Sequence, residues 1–122
     1  MEERLKEIKI ENEIWVIYIG IIILSWIANS KEKKYILYTD LESKKEYQEL
    51  LILIFSILLL VYYYFFNDSY KSLKSLNQYD SQKKKTLTYA SFIGSLLILI
   101  SGVIFLGIAL TDDNIDTEIA FN

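Results

Sequence analysis

The chain has 122 residues, of which 16 are acidic and 13 are basic, and its formal net charge of −3 gives no indication of nucleic-acid binding. It contains neither histidine nor cysteine, which excludes disulfide bonds, Ser-His-Asp triads and the common zinc sites. Hydrophobic residues make up 52% of the sequence although charged residues reach 24%, and the two kinds are sorted into separate blocks.

Three of these blocks are apolar and free of charge: Ile14–Ala28, Leu50–Phe66 and Leu87–Leu110. A helix on the surface of a soluble protein keeps a polar stripe, whereas these segments are apolar on all sides. With their flanking turns, at ~1.5 Å per residue, they reach across the ~30 Å hydrocarbon layer of a bilayer. The sequence therefore predicts an all-α membrane protein in which three transmembrane helices form an up-down bundle. We expect a single membrane domain over residues 1–122, with spans at about 13–30, 48–67 and 86–111.

The residues before the first span predict a short N-terminal amphipathic helix. Leu5 and Ile8 lie on one helical face of residues 1–13, and this segment either rests on the membrane surface or continues into the span. Trp15 and Trp26 stand near the two ends of the span, where indole rings favour the interface. The alternative is a signal peptide ending in the small residues near position 28. The excess of glutamates over basic residues before the span disfavours it.

The two connections between the spans also contain apolar residues. In the first, Tyr35–Tyr38 is an apolar island between charged residues, and we expect it to rest on the membrane interface. After the second span, Tyr70, Leu73 and Leu76 recur at helical spacing. We therefore expect the second helix to continue past the bilayer.

Small residues recur along the third span. One set is spaced by seven positions from Thr88 to Ala109, and Ala90 and Gly94 begin a second stripe alongside it. Small residues let helices approach closely in lipid, and a seven-residue repeat is typical of left-handed crossing near +20°. The pattern predicts a helix-packing face, although small residues are common in membrane helices and can align by chance. The residues assigned to this face are Ser91, Gly94, Ser95, Ser101, Gly102 and Ala109.

The positions of lysine and arginine predict the orientation in the membrane. Three spans place the N-terminal segment and the second connection on one side, with eight Lys or Arg residues, against five on the other side. Lys83, Lys84 and Lys85 stand immediately before the third span, and a lysine-free acidic tail follows it. We therefore expect a cytoplasmic N-terminus and an extracytoplasmic C-terminus. The same three lysines could bind anionic lipid headgroups, but a role as topological anchor is the favoured interpretation.

The tail contains Asp112-x-Asn114-x-Asp116, which looks like the start of a calcium loop. Thr117 stands where such a loop requires glycine, so we expect a solvated tail without a bound cation. We expect no metal site and no cofactor elsewhere in the chain.

The spans carry no charge near their middle, and no paired carboxylates share a dry pocket, so we expect no enzyme, pump or transporter. The favoured hypothesis is a small accessory protein that docks its helices against a membrane-protein partner or a second copy, which includes regulatory and immunity-like roles. The alternative is a pore-forming or holin-like protein, although holins commonly end in a basic tail rather than an acidic one. The abundance of Ile, Lys, Tyr, Asn and Ser is typical of AT-rich bacterial genomes and favours a bacterial cell membrane, whose lipids would be partners.

Overall fold

The computed structural model describes residues Glu2–Asp112, and three α-helices account for nearly all of them. They are α1 (Glu2–Tyr38), α2 (Leu41–Lys74) and α3 (Gln82–Thr111), and no strand occurs in this part of the chain. Each helix is long enough and apolar enough to cross a membrane. The prediction of an all-helical protein is confirmed, and the three candidate spans indicate a multi-pass membrane protein.

The first helix, α1, includes the N-terminal segment. Residues 2–13 continue into the apolar segment without a break. Of the two arrangements expected for the N-terminal segment, the structure therefore has the one in which it continues into the span. No proline interrupts the chain, and the charged residues after Ser30 are mostly good helix formers, so α1 extends beyond its apolar segment. Its buried residues are Ile14, Ile21 and Ala28. Their spacing of seven places them on one face of the helix.

Only Thr39 and Asp40 separate α1 from α2, so the first connection is much shorter than the sequence suggested. Thr39 adopts the left-handed conformation, with φ 53°, and donates its N–H to the carbonyl of Tyr35 at 2.7 Å, which ends α1. The carboxylate of Asp40 then begins α2. It accepts hydrogen bonds from the backbone N–H of Glu42 at 3.2 Å and from the hydroxyl of Ser43 at 2.9 Å.

Polar contacts join α1 to the start of α2 beside this turn. Nζ of Lys31 lies 2.7 Å from the carboxylate of Glu46, and Nζ of Lys44 lies 5.6 Å from the ring centre of Tyr35. The order of these contacts shows that the two segments run antiparallel. Tyr35–Tyr38, expected as an island in a loop, is the last turn of α1. The ion pair is partly exposed to solvent, so it adds little to stability.

The described residues form two compact units. One consists of residues 2–54 with Asp112, and the other consists of Phe55–Thr111. The boundary falls inside α2, which continues through it as one helix. The single membrane domain over residues 1–122 stays a prediction.

Most of the buried side chains belong to α2, and they follow a regular spacing. Those spaced alternately by four and three residues are Tyr47, Leu51, Ile54, Leu58 and Val61. This is a repeat of 3.5 residues, which is typical of helices that pack at a shallow left-handed angle. As expected, α2 continues past Phe66, and it ends at Lys74.

The second connection, residues 75–81, folds through local hydrogen bonds. The carboxylate of Asp80 accepts a hydrogen bond from the N–H of Asn77 at 2.8 Å. The hydroxyl of Ser81 accepts one from the N–H of Lys84 at 3.1 Å and so caps α3. The connection therefore sets the starting point of α3.

Candidate functional site

The hairpin formed by the second part of α2 and by α3 contains a close approach to one of the predicted packing residues. Gly102 is buried, and a Cβ atom built on it would lie 2.9 Å from Cδ2 of Tyr62 and 3.4 Å from Cδ1 of Leu59. Carbon atoms do not pack at 2.9 Å, so glycine is the residue that fits here. Seven residues later, Ala109 is only 3% exposed. These two members of the predicted face are therefore buried.

Aromatic rings pack on both sides of Gly102 in the hairpin. The rings of Phe55 and Phe105 have centroids 5.8 Å apart, and those of Phe66 and Phe92 are 5.4 Å apart. Such pairs add ~0.5–1.5 kcal/mol each beyond the burial of their area. These rings were not among the residues predicted to pack. For Phe92 the sequence did contain an indication of packing. It lies between Thr88 and Ser95, four residues after the first and three before the second, and therefore on the same face of α3.

Other predicted packing residues remain accessible. Ser91 and Ser101 are exposed, and Ser95 is half-buried. A Cβ atom built on Gly94 would meet no neighbouring group of the described structure within 4 Å. The six residues assigned to one face therefore divide into a buried set and an accessible set.

Several hydroxyl groups of α3 bond within α3 itself. Thr88, Ser95 and Ser101 each donate to a backbone carbonyl three or four residues earlier, at 2.8–2.9 Å. In lipid, hydroxyls of this kind can also form hydrogen bonds to a neighbouring helix. In this hairpin, the contact around Gly102 is made by packing instead.

A cleft of about 500 Å³ lies where the end of α2 meets the start of α3, and most of the residues that line it are of polar type. Four serines, a threonine, two lysines, an aspartate and a leucine line it. These residues are Asp68, Ser69, Ser72, Ser81, Lys83, Lys84, Leu87, Thr88 and Ser91. The two lysines and Ser91 were among the predicted site residues, but the serines of α2 were not. Their proximity depends on how the two helix ends meet, which no local pattern reveals.

The three lysines before the third span have different surroundings. Nζ of Lys84 lies 3.2 Å from the carboxylate of Asp80, and Lys85 donates to a backbone carbonyl at 3.2 Å. Lys83 forms no ion pair or hydrogen bond within residues 2–112. The backbone N–H of Asn77, together with Lys84, lowers the pKa of Asp80 from its ordinary value. Lys83 is therefore the member of the triplet that is available to a ligand.

A metal site was not expected, and residues 2–112 contain no cluster of three or more acidic side chains that could hold a metal ion. The described part of the chain ends at Asp112, the first residue of the calcium-loop motif. The other residues of that motif and of the acidic tail lie outside the described part.

No protein-family model, curated protein or solved structure matches this chain, so its function has to be inferred from its own residues.

Proposed function

We propose that this protein is a small non-enzymatic membrane protein that acts as an accessory, regulatory or immunity-like subunit by docking α3 against another transmembrane helix. In this proposal the three spans form an up-down bundle in the cell membrane, with a cytoplasmic N-terminus and an extracytoplasmic C-terminus. The observation that carries the proposal is the set of small residues on α3 that the described residues leave accessible.

We name Ala90, Gly94 and Ser101 the outer stripe. Ala90 and Ser101 are exposed, and Gly94 has open space where its side chain would be. Gly94 and Ser101 are two helical turns apart, roughly 10.5 Å along α3. The hydrophobic effect does not drive helices together in lipid, so close approach over small residues is the main source of affinity. The outer stripe offers such an approach.

Large apolar side chains flank the outer stripe. Leu97 is 58% exposed and Ile104 is 55% exposed, and both lie on the same side of α3. A helix seated on Gly94 and Ser101 would also pack against these side chains. We take a second copy of the chain as the partner, because two identical stripes can meet around a two-fold axis.

The test compares two identical substitutions on α3. Gly94→Leu fills the outer stripe, whereas Gly107→Leu adds the same side chain at an exposed glycine of α3, where a built Cβ atom would also meet no neighbouring group of the described structure within 4 Å. Association is measured by energy transfer between two differently labelled copies in lipid bilayers. We expect Gly94→Leu to weaken association about tenfold or more and Gly107→Leu to change it little. Equal effects of the two variants would show that the outer stripe is not the contact.

The pore-forming alternative predicts a different result in cells. Induced expression should then collapse the membrane potential, whereas an accessory protein accumulates without this effect. A collapse that persists in the Gly94→Leu variant would refute docking through the outer stripe and favour the pore.

A further inference from the structure

We propose that the cleft between the end of α2 and the start of α3 binds the phosphate group of a membrane phospholipid. The cleft is distinct from the outer stripe, and lipid binding there does not depend on docking of α3.

Several hydrogen-bond donors converge on this cleft without partners. Within residues 2–112, the hydroxyls of Ser69, Ser72 and Ser91 and the ammonium of Lys83 form no hydrogen bond, and all four residues line the cleft. Phosphate oxygens accept hydrogen bonds from hydroxyls and, more strongly, from ammonium groups. The cleft therefore offers one charged donor and three neutral donors that a phosphate group could satisfy together.

The start of α3 adds to this attraction. Ser81, which also lines the cleft, caps the N-terminus of the helix. The N-terminal end of a helix carries a partial positive charge, which favours a bound anion.

The charges at the cleft favour a singly charged ligand. Of the residues that line the cleft, Lys83 and Lys84 are positively charged and Asp68 is negatively charged. The lining therefore has about one excess positive charge. The phosphodiester of a phospholipid carries one negative charge, whereas free phosphate near neutral pH carries up to two. A second negative charge would be repelled by Asp68.

The position of the cleft favours a lipid over a soluble ligand. The apolar segment of α2 ends at Phe66 and that of α3 begins at Leu87, so the cleft lies at the level expected for headgroups. Leu87 lines the cleft and is 58% exposed. An acyl chain could therefore continue from the cleft along the exposed apolar surface of α3. The volume of about 500 Å³ is in the range of small-ligand sites.

The experiment uses the full chain in detergent micelles and measures lipid retention by native mass spectrometry. The probes are a phosphatidylglycerol and a diacylglycerol with the same acyl chains, and inorganic phosphate is added as a competitor. We expect retention of the phosphatidylglycerol, little retention of the diacylglycerol, and no displacement by inorganic phosphate. Equal retention of both lipids, or full displacement by inorganic phosphate, would overturn the proposal.

Two matched pairs of variants locate the site. Lys83→Gln should weaken retention of the phosphatidylglycerol roughly fivefold. Its control is Lys71→Gln, which removes a lysine of α2 that lies outside the cleft, and this variant should have a much smaller effect. Ser72→Ala should weaken retention about threefold, whereas Ser75→Ala should not, because the hydroxyl of Ser75 already bonds to the carbonyl of Ser72. Circular dichroism checks that each variant keeps its helices. Equal effects within both pairs would overturn the proposed site.

Discussion

Gly102 of α3 and Tyr62 of α2 are packed so closely that a Cβ atom on Gly102 would lie 2.9 Å from Cδ2 of the tyrosine ring and 3.3 Å from Cε2. The ring atoms cannot yield without a movement of the whole side chain, because Cδ2 is fixed in a rigid plane. The absence of a side chain at position 102 is thus a condition of this contact. It is also the most specific structural feature of the small-residue pattern on α3.

Gly102→Ala is expected to destabilise the folded protein by about 1–3 kcal/mol, because the added methyl group overpacks the contact with Tyr62. Gly94→Ala is the matched control. It has open space and should be neutral or slightly stabilising, since alanine is the better helix former. Thermal unfolding in detergent, followed by circular dichroism, measures the difference. A similar stability of the two variants would contradict the contact.

Thr39→Gly is expected to stabilise the first turn by about 0.5–1 kcal/mol. Thr39 has φ 53°, a region in which a β-branched side chain is strained and glycine is not. Part of the gain is offset because glycine is more flexible in the unfolded chain. Thr39→Ala keeps the Cβ atom and should gain less. If glycine proved less stable than alanine at this position, strain at Thr39 would not be a cost to the fold.

The turn between α1 and α2 should lose stability in acid. The hydroxyl of Ser43, followed by the backbone N–H of Glu42 and by Lys34, lowers the pKa of Asp40 from its ordinary value. Because the folded pKa is the lower one, the contribution of Asp40 to stability is present above the unfolded pKa of about 4. It is lost as the pH falls through the folded value.

Asp40→Asn tests this pH dependence. Asparagine can still cap α2 but does not titrate, so the variant should lose less stability than the native chain between pH 6 and pH 3. Unfolding midpoints at the two pH values measure the effect. An identical decrease in both proteins would show that Asp40 does not contribute to it.

The orientation in the membrane is tested with reporter fusions. A reporter fused after Asn122 should be active only outside the cytoplasm, and one inserted near Gln78 should be active only in the cytoplasm, because Lys83, Lys84 and Lys85 precede the third span. The reverse pattern would refute the predicted orientation. Purified protein beginning near Lys31 would instead show that the first segment is cleaved.

The sequence was a good guide to the number and positions of the helices and a poor guide to their ends. Charge-free segments such as Leu87–Leu110 leave few alternatives to a helix in lipid. The length of the first connection was overestimated. The charged residues after Ser30 suggest a loop, but they also favour helix when no glycine or proline follows. Asp40, a strong helix-capping residue, was the better indicator of where α2 begins.

The packing face shows what a single helix cannot reveal. Two stripes of small residues lie on neighbouring faces of α3, and both fit the same seven-residue repeat. The position of Tyr62 and Leu59 decides that Gly102 is buried in the hairpin, whereas Gly94 is left open. No property of α3 alone distinguishes the two glycines.

Composition and segment length were enough to predict a helical protein with three segments able to cross a membrane, because burial of an uncharged segment in lipid depends only on these two properties. Which small residues meet another helix became visible only in the packed hairpin, which also brings Ser69 and Ser72 of α2 to the same cleft as Lys83 of α3. Such contacts depend on the shapes and positions of side chains on two helices at once, and no pattern along one helix contains that information.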